Sequence, residues 1–282
     1  MSNRNNGDRI GPQSESSAPV AATAASPLDF VTPTEMVDLP SRGKLYTEGH
    51  PLKDKEEIEI RFMTAKEEDI LTSRTLLKKG IAIDRFLQSV IVNKKIKVNS
   101  LLIGDKNAIL IAARASGYGS DYETQVTCPN CATKQLMTFD LNNKTIKEST
   151  EDPDLGIRKT ANNTFIVTAP YSKFDVEIAP LTGEHELFLS RMAESRKKGM
   201  QQESLMTDQY KMMIKSVQGN AAKDVIAYYV DNMPLRDSRF IKNAYKKVNP
   251  DISVNENFEC SSCGHEQEME VPFGADFLWP DR

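Results

Sequence analysis

Apolar and polar positions fall into two matching series along this chain. Ile58-Glu59-Ile60 alternates as a half-buried strand does and runs into Met63-Thr64; Val176-Glu177-Ile178 and Leu181-Thr182 repeat that passage. Each strand leads to a helix start. Thr64 with Glu67 three residues on is a capping box, in which each residue satisfies an amide that the first helical turn leaves unpaired. Thr182 repeats the cap, with His185 where the acid should be. The first helix is expected to end on Lys78-Lys79-Gly80 and its counterpart on Lys197-Lys198-Gly199. Both put cations at the negative end of the helix dipole and glycine at the left-handed position that follows a helix. Ile83, Phe86, Leu87, Val90 and Ile91 then recur at helical spacing, as do Met206, Tyr210, Met213 and Val217. Both stripes predict plain core, methionine being a common gap-filler. A later helix opening near Asp105 carries Ile109, Ala112 and Ala113; its partner, opening near Asp237, carries Phe240, Ile241, Ala244, Tyr245 and Val248.

Thr182 lies 118 residues after Thr64, whereas Cys260 lies 132 after Cys128, so about 14 extra residues belong to the second copy. They are expected around the helical Val225–Val230 stretch. Two copies fall short of a solenoid, where three repeats or more are usual. The pattern predicts an α+β fold built from an internally duplicated unit of strand, helices and Cys-x-x-Cys knuckle. Residues 1–30, rich in Ser, Ala, Pro, Asn and Gly, read as a disordered leader, because they hold too little apolar surface to offset ordering entropy. An irregular arm is expected over 31–57, the first repeat over 58–141, connecting strands over 142–175, the second repeat over 176–273 and an aromatic tail over 274–282. That tail, Asp276-Phe277-Leu278-Trp279-Pro280, should fold back on its own core rather than insert into a neighbour.

Each copy ends in a knuckle, Cys128-Pro129-Asn130-Cys131 and Cys260-Ser261-Ser262-Cys263. Gln135 matches Gln267 and Met137 matches Met269 at the same offset. A two-residue gap lets both thiolates of a knuckle point at one metal, and two knuckles complete the tetrahedral sulfur shell of a structural zinc. Such a site keeps no open position for chemistry. The stretch from Cys131 to Cys260 is far longer than zinc-ribbon spacing allows, but a duplication brings the halves of the site together. One zinc per chain on Cys128, Cys131, Cys260 and Cys263 is the expectation. Two local disulfides, redox pairs and free core thiols are the alternatives. A redox pair opens a helix after a strand, which neither knuckle does. His265, two residues beyond Cys263, is a poor substitute ligand.

Composition narrows the function further. Lys and Arg total 36 against 40 Asp and Glu, a net charge of −4 with no basic face for phosphates. No apolar run approaches the roughly 20 residues that span a bilayer, and Pro19-Val20-Ala21-Ala22 is too short for a secretory signal. A reducing cytoplasm is therefore expected, where thiols stay free for metal. Signals for catalysis are thin. His185-Glu186 does not extend to a zinc-protease motif, because position 189 is Leu. Gly117-Tyr118-Gly119-Ser120 follows a helix, lacks a phosphate-loop lysine and reads as a loop. A zinc-ribbon nucleic-acid binder is the rival reading, opposed by Glu259, Glu266, Glu268 and Glu270 around the second knuckle.

Val37-Asp38-Leu39-Pro40-Ser41-Arg42-Gly43-Lys44-Leu45-Tyr46, the Ile60–Leu71 run, Ser116-Gly117-Tyr118-Gly119 and Cys128-Pro129-Asn130-Cys131 resemble the baseplate hub subunit and hub assembly proteins of T-even-type contractile-tailed bacteriophages. The resemblance covers roughly residues 36–275. It implies a non-enzymatic factor that helps build the central hub of the tail baseplate, working in the host cytoplasm and in some cases staying in the virion. Its partners would be other hub and tail proteins, with no nucleic acid, membrane or small-molecule substrate. Only the cysteine knuckles carry over as a site.

Overall fold

Thr34–Asp38 (β1) and Glu57–Arg61 (β2) pair antiparallel at the start of the computed structural model, which describes residues 32–199, 204–272 and 277–278. The expected leader, and Trp279 of the expected tail, lie outside the described residues. Ile58 and Ile60 alternate into the core while Glu57 and Glu59 stay exposed, as period-two patterning requires. Helices α1 (Ala65–Thr72), α2 (Arg74–Lys78) and α3 (Ala82–Val90), a 3-10 turn at Val98–Ser100, and helix α4 (Ile103–Tyr118) follow. A hairpin of β3 (Asp121–Thr127) and β4 (Lys134–Asp140) closes the first half.

Between the halves come β5 (Lys144–Lys147) and β6 (Arg158–Lys159). The order then runs again: β7 (Phe165–Thr168), β8 (Asp175–Ile178), α5 (Gly183–Lys198), α6 (Leu205–Met213), β9 (Ile214–Val217), α7 (Lys223–Asn232), α8 (Leu235–Val248), and a hairpin of β10 (Asp251–Glu259) and β11 (Glu266–Glu270). The matching extends to hydrogen bonding. Val37 faces Ile58 in the first pair and Val167 faces Val176 in the second. Ile60 bridges Ile91 just after α3, and Ile178 pairs with Ile214 just after α6. The sheets are β1–β2, β3–β4, β11–β10–β5 and β6–β7–β8–β9. The stretch expected to hold connecting strands is thus divided, β5 widening the second hairpin and β6–β7 the sheet of β8.

Several expectations need correction. The first helix is two helices, because Ser73 leaves the helical region with ψ 107° and caps both. Gly80 has the left-handed φ of +64°, but Gly199 has φ −84° and ends α5 without it. Ile91 lies 123 residues before Ile214, so the surplus of the second half is split: five residues before β9 and nine more between β9 and Asp237, where α7 replaces the 3-10 turn. Met206 is 46% exposed and Ile83 is at the surface edge, while Phe86, Leu87, Val90, Tyr210, Met213 and Val217 are core. Gly117 and Tyr118 form the last turn of α4 rather than a loop, and Gly119 ends it at φ +92°.

One hydrophobic core runs through both halves. Burying each of Phe86, Leu87 and Ile109 contributes about 1.5–3 kcal/mol. The halves are stitched where Ile103 donates its N–H to the Leu181 carbonyl (3.1 Å) and Gly183 donates to that of Leu101 (2.9 Å). The largely buried Lys106 of α4 pairs with Asp84 of α3 and with Glu186 of α5, each at 2.7 Å. Gly104 allows the tightest approach, since a Cβ there would lie 2.0 Å from the Pro250 carbonyl oxygen. All these elements belong to one compact unit, Pro33–Arg282. Among the described residues no helix is long and apolar enough to cross a membrane.

Candidate metal centre

The site is made by two turns of the same design. In the first, Cys128 donates its N–H to the Thr133 carbonyl (2.8 Å) and Ala132 donates to that of Cys128 (2.9 Å). In the second, Cys260 donates to His265 and Gly264 to Cys260, both at 2.9 Å. The residue after each second cysteine is left-handed, Ala132 at φ +59° and Gly264 at +66°. Each turn closes its hairpin and carries one buried and one exposed cysteine. The chain has thus built two half-sites with one local rule.

Packing brings the half-sites together. All four sulfurs lie within 4.8 Å of one another. The Cys128 and Cys263 sulfurs are 3.8 Å apart and those of Cys131 and Cys260 are 3.5 Å apart, so both close pairs run between knuckles. Four thiolates around one ion with metal–sulfur bonds of about 2.3 Å would have tetrahedral edges of about 3.8 Å. The donor set fits that shell, and the group is compatible with a single metal site. The thiols are free, and a disulfide would need sulfurs about 2.05 Å apart. Cys128 and Cys260 are buried while Cys131 and Cys263 are exposed, so the site has a protein side and a solvent side. The Cys131 sulfur lies 3.2 Å from the Thr133 hydroxyl; that contact and the Thr133 amide lower its thiol to about 6, which favours the ligating thiolate.

Gln135 locks the hairpins beside the sulfurs. Its Nε2 donates to the Glu259 carbonyl (2.8 Å), and its Oε1 accepts from the Ser261 N–H (3.0 Å) and hydroxyl (3.2 Å). Its sequence counterpart, Gln267, contacts His265 of its own hairpin instead. Among the described residues, the first glutamine therefore bridges the hairpins and the second does not. Sequence reasoning paired these glutamines but missed the bridge, which depends on contacts across 124 and 126 residues. His265 is not part of the sulfur group. Glu259 faces Glu266 across the second hairpin, and Glu266, Glu268 and Glu270 alternate on the exposed face of β11.

Two further anchors escaped the sequence. Asp105, fully buried at the third position of α4, accepts from the Ser41 N–H (2.9 Å), the Ser41 hydroxyl (2.6 Å) and the Tyr46 hydroxyl (2.7 Å). It pins the Leu39–Tyr46 arm to the helix that leads into the first knuckle. Arg114 of α4, also buried, donates through Nε to the Phe277 carbonyl (2.9 Å), and the Phe277 ring meets Tyr122 edge-on at 5.0 Å. Phe277 and Leu278 are both buried, and Phe277 packs on the chain's own first half. An Asp three residues into a helix in both copies was the available signal for the first anchor.

A family profile described as T4 bacteriophage base plate protein matches residues 33–279. No curated protein and no solved structure matches the chain. The matched span takes in the arm, both halves, both knuckles and the buried end of the tail. The chain belongs to the T4 bacteriophage base plate protein family.

Proposed function

We propose that this protein builds the hub of the phage tail base plate by binding other hub and tail proteins, without catalysis, and that one zinc on Cys128, Cys131, Cys260 and Cys263 holds its two halves in fixed relation. The observation that carries the reading is the gathering of four sulfurs within 4.8 Å from hairpins that end two copies of one element order. Four thiolates are the donor set a structural zinc takes, and a filled sulfur shell leaves no position for a substrate. Family membership supports a structural role in the tail. The acidic ladder of Glu259, Glu266, Glu268 and Glu270 beside the second knuckle disfavours a nucleic-acid partner. On this reading the repeats run over 58–141 and 176–273, each preceded by the strand that pairs with its first one, β1 or β7, assembly takes place in the host cytoplasm, and the protein can remain in the virion.

Two measurements test it. Purified protein should contain one zinc with four sulfur ligands by X-ray absorption, and Cys260→Ser should lose the metal and much of the fold's stability. A phage with a nonsense mutation in this gene should accumulate heads without complete base plates while its DNA replicates normally. Normal tails in the mutant, or arrested replication, would refute the hub role. Intramolecular disulfides in fresh lysates would refute the zinc.

A further inference from the structure

A cleft of about 380 Å³ lies where α6, α8 and β10 meet, away from the sulfur group. That volume falls in the roughly 300–1,000 Å³ range of ligand pockets. Lys147, Lys242 and Lys246 line it, all exposed. Among the described residues none of the three makes an ion pair, although Lys147 reaches the Lys246 carbonyl. The acids on the lining are differently placed. Asp251 already accepts from the Ile252 N–H at 2.9 Å, and Glu270 sits on the exposed face of β11. Beside them the wall is apolar and polarisable, with Met206, Met213 and Tyr245.

Asn249 decides what the cleft wants. It is 9% exposed, lines the cleft, and its Oδ1 is buried with no hydrogen-bond partner. A buried acceptor without a donor is costly, and such groups are rare in native folds. That oxygen has under 1 Å² of accessible surface, so an occupant of the cleft reaches it only when the Asn249 side chain turns on binding. Met206 is also out of register with its stripe, exposed at 46% where a core methionine was expected. An occupant that covers Met206, donates to Asn249 and brings a carboxylate to the lysines satisfies all three features at once.

We propose that this cleft binds an acidic peptide segment of a base plate partner. A carboxylate of the segment meets Lys242 and Lys246, a peptide N–H meets the Oδ1 of an Asn249 turned towards it, and an apolar side chain lies on Met206 and Met213. The segment's chemistry follows from charge complementarity and from the orphan acceptor. A peptide is favoured over a nucleic-acid strand because the lining offers Met206 and Met213 to an apolar side chain beside the lysines. The identity of the partner as a base plate protein rests on the proposed function; the chemistry of the cleft does not.

The test is fluorescence anisotropy on the full chain with three labelled probes: a short peptide alternating aspartate and leucine, its lysine–leucine counterpart, and an oligothymidylate. The acidic peptide should bind saturably and the other two should not. Lys242→Glu with Lys246→Gln should weaken it at least about tenfold, with a nearly unchanged circular-dichroism melt because both side chains are exposed and the last turn of α8 gains no negative charge. Asn249→Leu should weaken binding about tenfold while leaving the free protein as stable or more so, since the substitution removes an unpaid acceptor. A group that served only the fold would move the melt and not the binding. No saturable binding of the acidic peptide, equal binding of the lysine peptide, or oligothymidylate binding would each overturn the assignment. If the peptide fails while the nonsense phage still lacks base plates, only the cleft assignment falls. If the peptide binds while the phage builds normal tails, only the hub reading falls.

Discussion

Asp105 stands at the third position of α4, fully buried under the long arm of the first half; Asp237 stands at the third position of α8, fully buried under the short turn of the second. They are 132 residues apart, the same offset as the knuckles. Their partners differ in kind. Asp105 is met by one amide and two hydroxyls, whereas Asp237 is met by the backbone N–H groups of Tyr171 (2.8 Å) and Ser172 (3.0 Å). Burial raises the Asp105 carboxyl above its ordinary range, and the hydrogen bonds from Ser41 and Tyr46 do not outweigh it. Burial pushes Asp237 up as well, but the two amides, helped by the Ser172 side chain and Arg236, prevail and hold it below the usual range. A hydroxyl can turn to accept from a protonated acid, and an amide cannot. One duplicated position has therefore become a polar pin in one half and an anion site in the other.

The largest expected effect comes from neutralising each acid without changing its shape. Asp237→Asn sets an NH₂ group against fixed amide donors and should cost about 3 kcal/mol in urea unfolding. Asp105→Asn can keep its oxygen on the Ser41 amide and donate to the two hydroxyls, for a cost of about 1 kcal/mol. The pH dependence should be opposite in sign. The Asp237 contribution is present above the unfolded value of about 3.9 and is lost as pH falls through its lowered folded value. That of Asp105 is complete below about 3.9 and is lost as pH rises through its raised folded value. Equal costs for the two substitutions would erase the distinction.

The part of this fold that could be read from sequence is the part fixed within a few residues. The caps at Thr64 and Thr182, the helical α7 and the two knuckles depend on neighbours at most five positions away. The sulfur group was legible over a long separation only because the repeat told which distant elements must meet. Where no repeat helped, nothing was visible. Ser41 and Tyr46 reach Asp105 across 64 and 59 residues, and Arg114 reaches Phe277 across 163. The errors have physical reasons too. The Lys-Lys-Gly endings matched in letters, but α5 ended without a left-handed glycine. The stripe of Met206 predicted core from spacing, yet spacing cannot say whether an apolar face finds a partner within the chain.

The two helix caps sharpen the comparison at a smaller energy. In the first half the Glu67 carboxylate accepts from the Thr64 N–H (3.0 Å) and hydroxyl (2.7 Å) and is forked by Arg61. Burial opposes its charge, but the bonds from Thr64 and Arg61 win and hold the carboxyl at about 2. In the second half His185 Nδ1 accepts from the Thr182 N–H (3.0 Å), which requires a neutral ring, and burial with nearby Lys215 lowers its pKa. Each cap is worth about 1 kcal/mol. Both are lost on acidification, but in different windows. The His185 cap should weaken as pH falls from about 6.5 through its lowered folded value, and the Glu67 cap only as pH falls from 4.5 towards 2. Hydrogen exchange followed downward from pH 6.5 should therefore show the first turn of α5 fraying at a higher pH than that of α1. Simultaneous fraying would mean that histidine ionisation is not the cause.

The smallest effect separates the knuckles themselves. Ala132 and Gly264 hold the same left-handed conformation, with φ of +59° and +66°, after the second cysteine of each turn. An alanine there costs roughly 1–2 kcal/mol that glycine does not feel, while glycine gives back about 0.4–1 kcal/mol through the freedom of its unfolded chain. Ala132→Gly should therefore stabilise the metal-loaded protein by about 0.5 kcal/mol, and Gly264→Ala should destabilise it by a similar amount. Space does not intervene, since nothing lies within 4 Å of a Cβ built on Gly264. The two changes together should nearly cancel, because each turn is closed by its own pair of hydrogen bonds. Calorimetry of the two single variants and the double variant reads this directly. A double variant far from the sum would mean that the turns are coupled through the sulfurs, so that strain in one knuckle is felt by the ligands of the other.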